Sequence, residues 1–160
     1  HSKAQYNLGT HYQSGDGVPP NYKTAVKWYT LAAEQEDVDA QARLGLIYTT
    51  GGMAPQNDQE AIKWFTRAAA QGEVNSQYNL GVKYEFGEGV SQDHELAIEW
   101  YTLAAEQGHT ESQFILGQVY EAGDAVPKDH ETAIKWYTLA AEQGHAEAKS
   151  NLFLSLLGGE

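Results

Sequence analysis

Hydrophobic positions fall into two alternating helical stretches that recur every 36 residues along the chain. In the first stretch a small residue (Ala4, Ala40, Ser76, Ser112), a leucine (Leu8, Leu44, Leu80, Leu116) and a tyrosine (Tyr12, Tyr48, Tyr84, Tyr120) stand at i, i+4 and i+8. That spacing lines one face of an α-helix and marks its core side. In the second stretch Ala25, Val26, Trp28, Tyr29, Ala32 and Ala33, with their equivalents, fill one arc, while Lys27, Thr30 and Glu34 fall opposite. The tryptophans Trp28, Trp64, Trp100 and Trp136 share the 36-residue offset, and no insertion breaks the register. Such a period, with two helices per unit, predicts an all-α solenoid in which no unit buries its apolar face alone. The units run 4–39, 40–75, 76–111 and 112–147, followed by a closing helix at 148–157, within a single domain spanning 1–160.

Glycines and short polar residues punctuate this pattern. Gly15, Gly51, Gly87 and Gly123 follow the last periodic residue of each first helix and suit a left-handed cap. The loops GDGVPPN, GGMAPQN, GEGVSQD and GDAVPKD keep a second glycine at Gly17 and Gly89 but carry Met53 and Ala125 at the same place, which predicts two loop paths. Val18, Val90 and Val126 are expected to pin the loops to the core. Asn21, Asn57, Asp93 and Asp129 end them as N-caps of the second helix. Gly72, Gly108 and Gly144 close that helix, whereas the first unit has Glu36, so a looser or differently capped corner is expected there. The glycine after each leucine (Gly9, Gly45, Gly81, Gly117) weakens its helix, which implies that another helix passes too close for a side chain.

Composition narrows the chemistry. The 160 residues are 41% hydrophobic and 20% charged, with no cysteine, so neither disulfides, thiolate metal sites nor cysteine nucleophiles can form. No apolar run reaches the roughly 18 residues of a membrane span. The chain opens mid-pattern at His1-Ser2-Lys3 without a signal-peptide design, which suggests a removed leader or an excised segment. The net charge of −12 is uneven: the four units carry −3, 0, −6 and −4, and the ends add +1. An acidic surface repels nucleic acid and attracts a basic peptide or protein face, although acid excess also serves solubility alone.

The consensus AxxxLGxxYxxGxGVxxDxxxAxxWYxxAAxQG resembles the Sel-one-like repeat (SLR) family, a subclass of the tetratricopeptide-type helical repeats. The 36-residue spacing, the two-glycine loop and the Trp-Tyr pair (Trp64-Phe65 in the second unit) separate it from ordinary 34-residue repeats. The resemblance implies a right-handed superhelix of antiparallel helix pairs with the first helices lining a concave surface. It also implies an adaptor for proteins or peptides, in bacterial envelope or host-contact settings, hence the periplasm or outside the cell rather than the cytoplasm. The penicillin-binding link of cysteine-rich relatives does not carry over to a chain without cysteine.

Candidate contact residues follow from the helix wheel. With Leu80 and Tyr84 facing the core, Tyr78, Val82 and Glu85 project away from it. The equivalent sets are Tyr6, Thr10 and Gln13; Ala42, Leu46 and Thr49; and Phe114, Gln118 and Glu121. Aromatic residues beside charge are what recognition surfaces use, and these positions vary between units while core positions repeat. The same aromatics would serve as part-buried spacers if adjacent first helices pack side by side.

Catalytic, cofactor and metal roles draw no candidates. No nucleophile, base and orienter converge, no glycine loop cradles a phosphate, and His94 with His130 and His109 with His145 lack metal-ligand spacing and read as solvent positions. The expected function is thus a non-enzymatic scaffold, with an architectural spacer of a larger protein or a low-activity enzyme in the groove as alternatives. The final helix, AKSNLFLSLLGGE, has Phe153 where every unit has glycine, and more apolar residues than one stripe needs. This predicts either self-association or continuation into further structure, unless the leucines fold back onto the fourth unit.

Overall fold

The computed structural model describes residues 1–157, so the last three positions of the domain read from sequence as 1–160 lie outside the described residues. Among the described residues there are helices and loops only. The helices are α1 (Ser2–Ser14), α2 (Tyr22–Ala33), α3 (Val38–Thr50), α4 (Asp58–Ala70), α5 (Val74–Phe86), α6 (His94–Glu106), α7 (Thr110–Ala122), α8 (His130–Glu142) and α9 (Ala146–Leu157). Odd-numbered helices are the first of each pair, even-numbered ones the second. Each helix packs on its neighbours in the chain, so the array is an α/α solenoid whose order in space follows its order in sequence.

Local chemistry explains the boundaries. The first helices end at Gly15, Gly51, Gly87 and Gly123 with φ of 79°, 72°, 69° and 78°, a left-handed conformation that glycine adopts freely. Each loop then returns: the backbone N–H of Asn21, Asn57, Asp93 and Asp129 donates to the carbonyl of Tyr12, Tyr48, Tyr84 and Tyr120 respectively. Their side chains accept from Thr24, Glu60, Leu96 and Thr132 amides at 3.0–3.1 Å and start the second helix. Gly17 and Gly89 have positive φ, whereas Met53 and Ala125 do not, so the loops do take two paths. At the odd corner Glu36 accepts the left-handed conformation at φ 63°. Its carboxylate accepts from Gln41 and pairs with Arg67, a cation that leucine replaces in the other units, so the corner is differently braced rather than loose.

The glycine inside each first helix is explained by a ring rather than by a helix backbone. A Cβ on Gly9, Gly45, Gly81 or Gly117 would lie 2.4–2.6 Å from the ring of Tyr29, Phe65, Tyr101 or Tyr137, the aromatic that follows each tryptophan. These rings and the alanines around them form the core, together with Leu44, Leu80 and Leu116, which are fully buried. A second element repeats through the array. Buried Gln41, Gln77 and Gln113 each donate to a carbonyl at the end of the preceding second helix (Ala33, Ala69, Ala105). Each also accepts from the glutamine that ends its own unit's second helix (Gln71, Gln107, Gln143) at 2.7–2.8 Å. These helix-end carbonyls already accept from the Glu36, Gly72 and Gly108 amides, and the glutamines add a second donor that ties one unit to the next.

Candidate functional site

Successive first helices leave grooves between them, and the side chains flanking those grooves come from positions the helix wheel assigns away from the core. Between α5 and α7 lies a cavity of about 470 Å³ whose walls include Tyr78, Val82, Glu85 and Gln118. Between α1 and α3 a cavity of about 390 Å³ is lined by Thr10, Gln13, Arg43 and Met53, among others. Glu121 lies in a third cavity of about 560 Å³, beside Lys128, His130, Asn151 and Leu154. Leu46 is exposed and Thr49 half-buried on α3, between the first two of these grooves.

Several candidates also have internal partners. Tyr6 and Tyr78 are half-buried and pack on the rings of Tyr29 and Tyr101, with centroids 5.4 and 5.9 Å apart. Phe114 is a correction: at 6% exposed it lies between Tyr137 and His145, whose ring stacks on it at 4.3 Å, and it offers no surface to a partner. Tyr29 donates its hydroxyl to Gln13 Oε1 at 2.6 Å, and Tyr101 donates to Glu85 Oε2. In the second unit the hydroxyl is absent, at Phe65, and so is the acceptor: Thr49 stands there and donates to the Gly45 carbonyl within its own helix. In the fourth unit Glu121 pairs instead with His130 and Lys128, and the Tyr137 hydroxyl accepts from Asn151. Burial, followed by the neighbouring carboxylate of Glu85, pushes the Tyr101 hydroxyl far above its ordinary range, so it stays a donor.

Three of the histidines are not solvent positions: His130 is half-buried, with Nδ1 3.0 Å from Glu121 Oε2 and Nε2 2.9 Å from the Ser155 carbonyl, and the other two are helix caps. His109 Nδ1 accepts from the Ser112 amide at 3.2 Å and His145 Nδ1 from the Ala148 amide at 3.1 Å, which makes each an N-cap, of α7 and of α9. His109 also packs on Tyr78, with centroids 4.6 Å apart. Burial lowers its pKa, against the pull of Glu111 and Glu73, and keeps Nδ1 free to accept. Among the described residues no group of histidine and carboxylate side chains is arranged to hold a metal ion, and no helix is long and apolar enough to cross a membrane.

Phe86, Ile115, Val119 and Asp124 complete the α5–α7 groove, and the wheel of one helix did not single them out. Each groove joins the far side of one first helix to the near side of the next and to a loop, so no single helix contains the pattern. The readable signal was disagreement between units: Arg43 and Ile115, or Gly52 and Asp124, stand at equivalent positions with unlike chemistry.

A stack of 36-residue helix pairs with varied grooves between first helices is a helical-repeat interaction solenoid. The Sel1 repeat family matches residues 2–37, 38–73, 74–109 and 110–145, and the chain belongs to that family. These spans begin where the first helices begin, at 2 rather than at 4. Sel1 repeat proteins generally mediate protein–protein interactions and are typically non-enzymatic. Among solved structures, a protective antigen of uropathogenic Escherichia coli with an SLR fold is 39% identical, with a TM-score of 0.87 over 92% of this chain. A Sel1 repeat protein of Oxalobacter formigenes is 35% identical, with a TM-score of 0.83 over 95% of this chain. The chain spans only 32% and 62% of those two proteins. Cysteine-rich protein B of Helicobacter pylori is 25% identical, with a TM-score of 0.65, over 83% of this chain and 96% of its own. No curated protein matches the sequence.

Proposed function

We propose that the chain is a non-enzymatic scaffold that binds a protein or peptide segment of basic character along the concave face of its first helices, in an extracytoplasmic bacterial setting. The observation that carries this reading is the series of grooves between first helices, which share one framework and differ in lining. Thr10 and Gln13 serve the α1–α3 groove, Tyr78, Val82, Glu85 and Gln118 the α5–α7 groove and Glu121 the groove between α7 and α9, while Leu46 and Thr49 lie on α3 between the first two. Half-buried aromatic walls beside carboxylates offer area and charge together, as recognition surfaces do. The test is a peptide library displayed on phage and panned against the chain, then counter-panned against a Val82→Arg, Gln118→Arg variant. Enriched peptides should be net basic, lose the variant and associate more slowly as salt rises. Peptides that bind both forms equally would overturn the reading.

A second reading rests on α9. Leu152 packs on the core of the fourth unit, but Phe153, Leu154, Leu156 and Leu157 are 61–64% exposed and do not. This apolar end supports self-association, which sedimentation would show as a dimer that a Phe153→Glu, Leu157→Glu variant loses. A monomer in both cases would remove that reading.

A further inference from the structure

Successive junctions between units are built from equivalent positions, and one of them holds a buried lysine that the others lack. Where α5 packs beside α3, Lys83 is only 2% exposed, and its ammonium donates to Asp58 Oδ1 at 2.6 Å and Glu88 Oε2 at 2.8 Å. Burial works against that charge, but the two carboxylates outweigh it and hold the lysine above its ordinary pKa. The ion triad fastens the third-unit loop to the start of α4, and Gly89 sits so close that a Cβ there would lie 2.6 Å from the Asp58 Cβ. One period later, Val119 takes the place of Lys83, Asp124 that of Glu88 and His94 that of Asp58. One carboxylate is kept, while the lysine and the other carboxylate are gone.

The space beside it is open. Asp124 and Glu85 line the same 470 Å³ cavity, whose remaining wall is apolar at Val82, Ile115 and Val119. Glu85 accepts the Tyr101 hydroxyl on one oxygen, and a carboxylate has about four acceptor sites, so it can take a further donor.

We propose that this groove receives the side chain of a lysine from a protein partner, its aliphatic stem along Val82, Ile115 and Val119 and its ammonium between Glu85 and Asp124. The proposal rests on the concave-face reading and names the chemistry of one subsite. Lysine buries its stem on apolar surface while its head seeks charge, and Lys83 shows elsewhere in this chain an ammonium held between two carboxylates. The α1–α3 groove cannot do the same. Arg43 stands there in place of Ile115 and Gly52 in place of Asp124, so a cation is repelled and a basic segment has one register on the face.

The test is a titration of the chain, followed by backbone amide NMR, with the peptide acetyl-Phe-Lys-Leu-amide and its norleucine counterpart. The lysine peptide should saturably shift Val82, Glu85, Val119 and Ala125 and bind about tenfold more tightly than the norleucine peptide, the ratio expected for one charge-assisted contact. A Glu85→Gln, Asp124→Asn variant should erase that ratio while keeping the fold, since Gln13 already serves as the tyrosine acceptor in the first unit. Val119→Lys should block the groove with the chain's own ammonium. Equal binding of the two peptides at these residues would overturn the lysine subsite and leave the concave-face reading standing. Shifts spread over the acidic surface without saturation would overturn it too. Failure of both these peptides and the panned library to touch any first helix would overturn both proposals.

Discussion

The α1–α3 and α5–α7 grooves are the same construction with opposite chemistry. Thr10, Gln13, Ser14, Arg43 and Gly52 in one stand where Val82, Glu85, Phe86, Ile115 and Asp124 stand in the other, exactly two periods apart, while Gly9, Tyr29, Gly81 and Tyr101 beneath them are unchanged. One groove sets short polar side chains and a single arginine beside Tyr22 and Met53, the other sets aliphatic and aromatic side chains beside two carboxylates. A repeat scaffold thus separates two tasks: close packing of glycine against tyrosine fixes where the groove lies, and the residues above that contact vary without disturbing it.

The largest expected effect tests the shared part. Gly81→Ala would place a methyl 2.5 Å from Tyr101 Cε1, and should cost about 3 kcal/mol, the upper range for overpacking. Gly9→Ala meets Tyr29 at 2.6 Å but lies in an end unit where Leu8 is already 39% exposed, so its cost should be smaller. Denaturant midpoints decide; a negligible cost at both sites would mean that the ring contact does not position the grooves.

Next come the hydroxyls under each groove. Tyr101→Phe leaves Glu85 without its donor and should cost about 2 kcal/mol, because the acceptor is charged, whereas Tyr29→Phe opposite neutral Gln13 should cost about 1 kcal/mol. The second unit suggests the repair: Tyr101→Phe with Glu85→Thr reproduces the Phe65 and Thr49 pair and should recover part of the loss. A double-mutant cycle with no coupling between Tyr101 and Glu85 would deny that the acceptor is there for the phenol.

The smallest effect separates the grooves by pH. Asp37 caps α3 through the Ala40 amide, but His109 caps α7, and only the histidine must be unprotonated to accept. Its folded pKa is depressed by burial, so the unfolded chain takes up the proton first as pH falls. The cap is fully present above the unfolded value of about 6.5 and is lost progressively as pH drops below it, by about 1 kcal/mol, the worth of an N-cap. His109→Asp should flatten this part of the stability profile between pH 7 and 5, while Asp37→Ala should lower stability at both pH values. An unchanged slope in His109→Asp would remove the histidine from the account.

Much of the fold was legible from residues alone, because each signal was local or strictly periodic. A glycine past a helix, an asparagine before one, and a leucine every 36 residues act through their own backbone or through a neighbour whose sequence is the same. The side of the helix that carries Tyr78 and Glu85 was also legible. Phe114 was not, since its burial depends on His145 at the start of α9, and the roles of His109 and His145 as caps depend on a ring turning back to an amide three residues on.

Period and polarity along the chain therefore determined the helices, their pairing and the stacking of four units. Tertiary structure alone decided which varied residues meet. Arg43, Ile115, Val119 and Asp124 become groove walls only when two first helices and a loop from different units close on one another, and Val119 in the place of Lys83 matters only because Asp124 and Glu85 face the same groove. Helix formation is set within a few residues, whereas a site is set by side chains brought together across units, and that distance in sequence is what folding removes.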